Sequence, residues 1–205
     1  MKHIFIETNF LIGVARPCPQ DTAEQLLRRN GHDVTLYIPW CSITEARRTL
    51  QRVIDDDLGF DQAMLKFAVR ELLPAGDHAV HATLQDFARR AREARRVAKA
   101  GANATIDALV RTMQTIQPSP DVVAETMRIW TVKMLPPFDE MVLGAVVAKA
   151  AELHRNGERE IFFCNLNKSD FSPLDSGGRA ITRPSLDAEY ARCGITYLSS
   201  FDVPP

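Results

Sequence analysis

Four short apolar runs separated by helical segments constrain the fold of this chain more than any other feature. Each run is rich in β-branched or aromatic residues and is too short for an ordinary helix, so each predicts a buried strand. The runs are HIFI at 3–6, VTLYIP at 34–39, EIFFCN at 160–165 and ITYL at 195–198. Strands that alternate with helices favour a parallel sheet with helices on its faces, the α/β class.

The segments between these runs carry helical periodicity. They predict helices at 21–29, 42–54, 138–154 and 185–192. Asp21 or Thr22 is the expected N-cap of the first of these helices. Residues 55–132 predict several further helices. No internal repeat or composition shift divides the chain, and 205 residues with 45% hydrophobic content suit a single domain.

Composition limits the classes of partner. Lys and Arg number 25 against 26 Asp and Glu, a formal net charge of -1, so global charge does not indicate a nucleic-acid partner. Attraction to phosphate would have to come from a local basic patch or from bound cations. The four cysteines are far apart in sequence and fit ordinary thiols in a reducing compartment. The N-terminus has no secretory leader or membrane span, so we expect a soluble, cytoplasmic protein.

Acidic and amide side chains stand at the positions where a parallel α/β sheet builds its crevice, the carboxyl ends of the strands. Glu7 follows the first predicted strand, Glu45 lies in the first turn of the helix after the second, and Asp139 begins the helix before the third. Asn167 and Asp170 follow the third strand. Carboxylates that share a small volume repel one another unless a cation compensates them. Oxygen ligands without His or Cys select Mg²⁺ or Mn²⁺.

Four segments of the chain resemble, in order, the motifs of PIN domains. IFIETNFLI resembles the opening hydrophobic-Asp-x-Asn segment, and PWCSITEARRTL is similar to the second segment, which places an acid on a helix. PPFDEMVLGAVVAKA looks like the third segment, in which an Asp opens an apolar helix, and FFCNLNKSDF resembles the closing strand and its Asp-Phe turn. Together the segments flank most of the chain.

The resemblance implies a single PIN-like domain over 1–205, with a three-layer α/β/α fold and the helical insertion at 55–132. It implies a metal-dependent endoribonuclease that hydrolyses phosphodiester bonds of single-stranded RNA with Mg²⁺ or Mn²⁺. Glu7, Glu45 and Asp139 become the catalytic and metal-binding carboxylates. Asn167 and Asp170 become further metal ligands, and Thr8 and Asn9 support the first acid.

Two positions depart from the family pattern. The family usually has Asp where this chain has Glu7, and the extra methylene keeps the charge but changes its reach. Asn167 stands at the fourth acidic position, so the site carries one negative charge fewer, which weakens a second cation. These departures favour an alternative function, a catalytically weakened PIN-like module that binds RNA or a protein. An aspartyl-nucleophile phosphatase is disfavoured because Glu7-Thr8-Asn9 replaces its DxDx[TV] segment.

Each site residue also has a purely structural interpretation. Glu7 suits a helix N-cap, and Ser42-x-x-Glu45 is a capping-box pattern. Asp139 can be an acid that only stabilises the start of a helix, and a shift of the motif by one residue would give its site role to Glu140. Asn167 and Asp170 suit a turn.

The expected partners follow from the same resemblance. RNA is the implied substrate, and a toxin of a toxin–antitoxin pair or an RNA-processing enzyme are both consistent with the motifs. An antitoxin chain and a second copy of this chain are the protein partners that stay open. The stretch 79–99 is an amphipathic helix whose polar side is rich in arginine. Its usual role is a solvated face, and its alternative role is RNA contact through Arg92, Arg95 and Arg96.

Overall fold

The computed structural model describes residues 1–15, 20–67, 78–133, 135–172 and 186–204, and the side chains of these residues outside 56–67, 78–81, 131–133 and 168–169. It contains a five-stranded sheet in which every pair of neighbours is parallel. The strands are β1 (Lys2–Phe5), β2 (Val34–Pro39), β3 (Gln114–Ile116), β4 (Ile161–Cys164) and β5 (Ile195–Leu198), in the spatial order β3-β2-β1-β4-β5. The predicted α/β/α class is confirmed.

Helices connect the strands and cover the sheet. They are α1 (Thr8–Ala15), α2 (Asp21–Arg29), α3 (Trp40–Phe67), α4 (His78–Thr112), α5 (Pro120–Lys133), α6 (Pro137–Arg155), α7 (Lys168–Phe171) and α8 (Leu186–Arg192). The predicted bounds of α2, β2 and β5 agree with the structure. The N-cap of α2 is Gln20, without a side-chain capping bond, so the predicted capping by Asp21 or Thr22 is wrong.

Both faces of the sheet are buried, as a parallel sheet requires. Phe5, Tyr37 and Phe163 point to one face and join a core cluster with α5, α6 and α8. Their strand neighbours Ile4 and Leu36 are fully buried on the opposite face, because successive side chains of a strand alternate. The strands therefore leave little room for polar side chains along their length, and polar groups collect at strand ends.

Helix α6 is buried on nearly all sides. Its buried positions run through three consecutive turns and are filled by small or aliphatic residues: Val142, Leu143, Gly144, Ala145, Val146, Val147, Ala150 and Leu153. The backbone of α5 comes close to α6 at Gly144, where an added Cβ would lie 2.8 Å from the Cα of Thr126. This close approach fixes α6, whose first turn carries Asp139.

The structure differs from the sequence-based prediction in the region 55–132. Gln114–Ile116 forms the edge strand β3, which pairs with β2 through Tyr37↔Gln114, whereas only helices were expected there. The chain divides into two compact units, one of residues 1–46 and 106–205 and the other Arg47–Thr105. The second unit lies largely within the predicted insertion, but β3 and α5 belong to the unit that contains the sheet.

Cys41, Cys164 and Cys193 are free, buried thiols, in agreement with the expectation from sequence, and Cys18 lies outside the described residues. No helix in the described part of the chain is both long and apolar enough to span a membrane.

We predict opposite effects for alanine at two helical glycines. Gly144→Ala should lower the free energy of unfolding by about 1–3 kcal/mol, because its Cβ meets the α5 backbone. Gly101→Ala, in α4, is the matched control: nothing lies within 4 Å of its added Cβ, and it should raise stability by about 0.5–1 kcal/mol. Urea unfolding followed by circular dichroism measures both. Equal effects of the two substitutions would contradict the close α5–α6 packing.

Candidate active site at the carboxyl edge of the sheet

The order of the strands reverses at β1. The chain places β2 and β3 on one side of β1, and β4 and β5 on the other side. A crevice forms at the carboxyl ends of the strands where such a reversal occurs, and ligands of open α/β sheets bind there. Glu7 follows β1, and Asn165 follows β4. These residues therefore flank the crevice.

Glu7 is a buried carboxylate with one free oxygen. Only 6% of the residue is exposed, and its Oε1 has no hydrogen-bond partner. The backbone and side chain of Asn9 donate hydrogen bonds to the carboxylate, so Glu7 also caps α1. Burial raises the pKa of Glu7 to about 7, and the charges of Glu45 and Asp139 add to this increase against the opposing effect of the Asn9 bonds. Capping and membership of an acidic cluster therefore coexist in this residue.

Glu45 is held by Thr8 rather than by a capping box. Thr8 Oγ1 donates a hydrogen bond to Glu45 Oε2 and lies 3.4 Å from the carbonyl oxygen of Ser42. Helix α3 begins at Trp40, so Ser42 lies inside the helix, where its Oγ is buried without a partner. The capping-box interpretation of Ser42 and Glu45 is therefore wrong. The carboxylate instead joins the loop that carries Glu7.

Asp139 interacts with the other acids across the crevice. It lies in the first turn of α6 and is half-buried. Burial raises the pKa of Asp139 to about 6, and the neighbouring charges of Asp170 and Glu45 contribute to the increase. A helix N-terminus alone would stabilise the charged form. Its rival Glu140 is buried, with an Oε1 that lacks a partner. Asp139 is thus the α6 acid whose charge couples to Glu7 and Asp170.

Asn167 and Asp170 form a turn that also faces the cluster. Asn167 Nδ2 donates to Asp170 Oδ2 at 2.6 Å, and the Asn167 carbonyl accepts from the Phe171 N–H at 3.2 Å. Phe171 is buried and packs edge-to-face on Phe163, with ring centroids 5.5 Å apart. Asp170 therefore lies in the one-turn helix α7 rather than in an irregular turn, and its charge adds to the effect of burial in raising the pKa of Asp139.

The acids converge without forming a closed ligand set. Among the described residues, no group of three or more His, Cys, Asp or Glu side chains is placed so that it could hold a metal ion. The donor set nevertheless has the chemistry that a hard divalent cation needs: carboxylate and amide oxygens, with one buried carboxylate oxygen unpartnered. Burial is the main cause of the raised pKa values of Glu7 and Asp139, and the neighbouring negative charges, which a cation would compensate, add to it. The donor types therefore suit a hard divalent cation, although the described side chains are not placed as a ligand set.

Two residues at this edge were missed from the sequence. Asn165 is fully buried directly after β4, and its Oδ1 accepts the Asn167 N–H at 2.6 Å. Tyr197 OH donates to the Asn165 carbonyl at 3.0 Å. Burial raises the pKa of Tyr197 to about 12, and the charge of Glu7 contributes. The rule that selected Glu7, a polar residue directly after an apolar run, also selects Asn165.

The predicted RNA-contacting arginines lie in the second compact unit, on α4. Arg92 is exposed. Arg96 binds Glu93 at 2.7 Å, and Arg95 lies 3.7 Å from Asp55, with 21% of its side chain exposed. Ion pairs of this kind are typical of a solvated face. The positive charge of exposed Arg92 remains accessible to an anion such as a phosphate.

Comparison with known proteins adds no assignment. No protein-family profile and no curated protein sequence matches the chain. The resemblance to PIN domains therefore rests on the four sequence segments, and membership of that family stays a prediction. What the structure itself defines is the class: an α/β protein with acids gathered at the switch point of a parallel sheet.

The pH dependence of stability tests the burial of Glu7. The pKa of Glu7 is raised from 4.5 to about 7 on folding. The contribution of Glu7 to the free energy of unfolding is therefore fully present below pH 4.5 and is lost as the pH rises through 7. In Glu7→Gln this loss disappears. Without divalent cations, we expect the variant to gain on the order of 3 kcal/mol relative to the wild type between pH 4.5 and pH 7.

Urea unfolding in EDTA at several pH values provides the measurement. Glu24→Gln is the control, because that carboxylate pairs with Arg28 on the surface of α2 at 2.8 Å. From pH 5.5 to 8, the free energy of unfolding of Glu24→Gln should change with pH in the same way as that of the wild type. A Glu7→Gln curve that also ran parallel to the wild type would show that Glu7 is not held in a desolvated environment.

Proposed function

We propose that this protein is a metal-dependent endoribonuclease of the PIN type that hydrolyses phosphodiester bonds of single-stranded RNA. One observation carries the proposal: Glu7, buried with a free carboxylate oxygen, is coupled by charge to Glu45 and Asp139 at the switch point of a parallel sheet. Carboxylates are kept desolvated and close together against their mutual repulsion chiefly where function requires it. The order of the four sequence motifs supports the same conclusion.

The chain's own residues hold the acids in defined orientations. Thr8 fixes one oxygen of Glu45, Asn9 fixes one oxygen of Glu7, and Asn167 fixes one oxygen of Asp170. Each carboxylate thus keeps one oxygen tied to a neutral donor and one oxygen for a ligand. Burial of Glu7 excludes water from the floor of the site, which strengthens every electrostatic interaction there.

A divalent cation suits this arrangement. Glu7, Glu45 and Asp139 would hold it, with Asn167 and Asp170 assisting. A bound Mg²⁺ or Mn²⁺ supplies activation of water and neutralisation of the charge that develops on the phosphate. The described residues of the site include no His, and burial raises the pKa of the Cys41 thiol to about 11, which disfavours a thiolate nucleophile. Hydrolysis by water is therefore the reaction class that these side chains support.

The substrate and partners are part of the proposal. A phosphodiester is repelled by an acidic site without cations, so the affinity for RNA needs a separate source of positive charge. The arginines of α4 are the candidates in this chain. A toxin role, with an antitoxin as partner, and a role in RNA processing are both compatible with such a site. The location proposed is the cytoplasm, where RNA is available.

A second candidate function is favoured by a specific observation. No closed ligand set is present among the described acids, and Asn167 stands where the PIN pattern has an acid. These features favour a catalytically weakened PIN-like module that binds RNA or a protein partner. The two functions differ in their response to Mn²⁺.

We expect Mn²⁺ to raise the melting temperature of the wild type and to support cleavage of single-stranded RNA, because a ligand that binds only the folded state stabilises it. Glu7→Gln and Asp139→Asn should each lose the thermal shift and reduce cleavage by roughly 100-fold or more. Differential scanning fluorimetry and a fluorescent RNA substrate measure the two effects.

Asp187→Asn is the matched control for Asp139→Asn, because Asp187 is an exposed acid in the first turn of α8. It should behave as the wild type in both assays. RNA binding without a thermal shift or cleavage would favour the weakened module. Full activity in both Glu7→Gln and Asp139→Asn would overturn the proposed site.

The arginines of α4 are tested by salt dependence. Binding of single-stranded RNA to the triple variant Arg92/Arg95/Arg96→Ala should show a shallower dependence of log K on log salt, by about 0.7 for each phosphate that the variant no longer neutralises. The control is a triple variant of arginines elsewhere: Arg28, Arg111 and Arg155. If the α4 variant keeps the wild-type slope, the helix does not contribute to the RNA interface.

A further inference from the structure

The side-chain amide of Asn165 contains an unused hydrogen-bond donor. The residue is fully buried, and its Nδ2 has no hydrogen-bond partner. Its Oδ1 accepts the backbone N–H of Asn167 at 2.6 Å, which fixes the orientation of the amide. A flipped amide would set two donors against each other, so the free atom must be the NH₂ group. A buried donor without a partner is unfavourable, so an acceptor is expected close by.

The matching acceptor is at the end of the neighbouring strand. Glu7 Oε1 is buried and also lacks a partner. Strands β1 and β4 pair in the register Phe5↔Phe163, and Glu7 and Asn165 each lie two residues beyond this pair, just past the ends of the two strands. Tyr197 is close to both, since its hydroxyl binds the Asn165 carbonyl and the charge of Glu7 acts on it.

We propose that Asn165 is the positioning residue of Glu7: because neither Asn165 Nδ2 nor Glu7 Oε1 has a protein partner, one bridging water molecule accepts from Nδ2 and donates to Oε1. The role of this contact in catalysis rests on the proposed function. One interaction satisfies two buried groups that would otherwise both be unpaired. It also explains how a glutamate, one methylene longer than the aspartate of the family pattern, is held in place at the floor of the site.

Stability does not need the enzyme activity, so it provides the first test. Asn165→Asp keeps the acceptor for the Asn167 N–H but places a second carboxylate at the water that Glu7 Oε1 accepts from. Glu7→Gln keeps the acceptor for Asn9 but places a second donor at the water that accepts from Asn165 Nδ2. The double variant exchanges donor and acceptor across the pair. At pH 8, its melting temperature should exceed the value expected from the two single variants by roughly 4–8 °C.

A matched cycle gives the control. Asn156, the exposed C-cap of α6, is paired with Glu7 in the variants Asn156→Asp, Glu7→Gln and their double variant. Their effects should add, because no contact links the two positions. Additive effects in the Asn165 cycle as well would overturn the proposal. If Asn165→Asp does not fold, a folded double variant supports the pairing, and failure of both overturns it.

Cleavage kinetics test the positioning role. In Asn165→Asp that is folded at the assay temperature, kcat for Mn²⁺-dependent RNA cleavage should fall roughly 10-fold or more while KM changes less than about 2-fold, because a misplaced carboxylate impairs the chemical step rather than RNA binding. The double variant should not recover kcat because it lacks the Glu7 carboxylate. Unchanged kcat would overturn the role in positioning. If the wild type cleaves no RNA but the Asn165 cycle shows coupling, the pairing stands and only the proposed function fails.

Discussion

A parallel sheet buried on both faces constrains everything else in this molecule. Side chains along β1, β2 and β4 alternate between two largely apolar layers, so a buried polar side chain within a strand is paired, as His3 is with Tyr37, and the buried acids lie beyond the strand ends. The reversal of strand order at β1 brings the ends of β1 and β4 together, and Glu7 and Asn165 occupy them. The acidic cluster is thus a result of the topology: the largely apolar faces of the sheet disfavour carboxylates, and the acids lie at one edge.

Local sequence signals were sufficient for most of the fold. Runs such as VTLYIP and ITYL carry their own strand propensity, and their bounds agree with the structure. Gln114–Ile116 was missed because a run of three residues is too short to show a strand pattern, and its strand conformation depends on pairing with β2. The start of α3 was placed at Ser42 because Ser-x-x-Glu is a common capping pattern. In the structure, the helix begins directly after Pro39 ends β2, which no local pattern indicates.

The site was predictable in position but not in its contacts. The rule that crevices lie at the carboxyl ends of strands selected Glu7 and Asp139. The bond between Thr8 and Glu45 joins residues 37 positions apart, so it depends on packing that sequence periodicity does not contain. Asn165 was not predicted because the run EIFFCN was interpreted as a strand through residue 165, whereas β4 ends at Cys164. The pKa values of Glu7 and Asp139 depend on burial, which only the three-dimensional structure provides.

The packing of α6 restrains Asp139 more firmly than Glu45 is restrained at the carboxyl edge of the sheet. Asp139 stands on a helix enclosed on nearly all sides and held against α5 at Gly144, so its carboxylate moves only through its own side-chain torsions. The side chain of Glu45 is longer by one methylene, and the hydroxyl of Thr8 restrains it. Under the proposed function, the Glu45 side chain would move to accommodate ions of different radius, and Asp139 would stay in place.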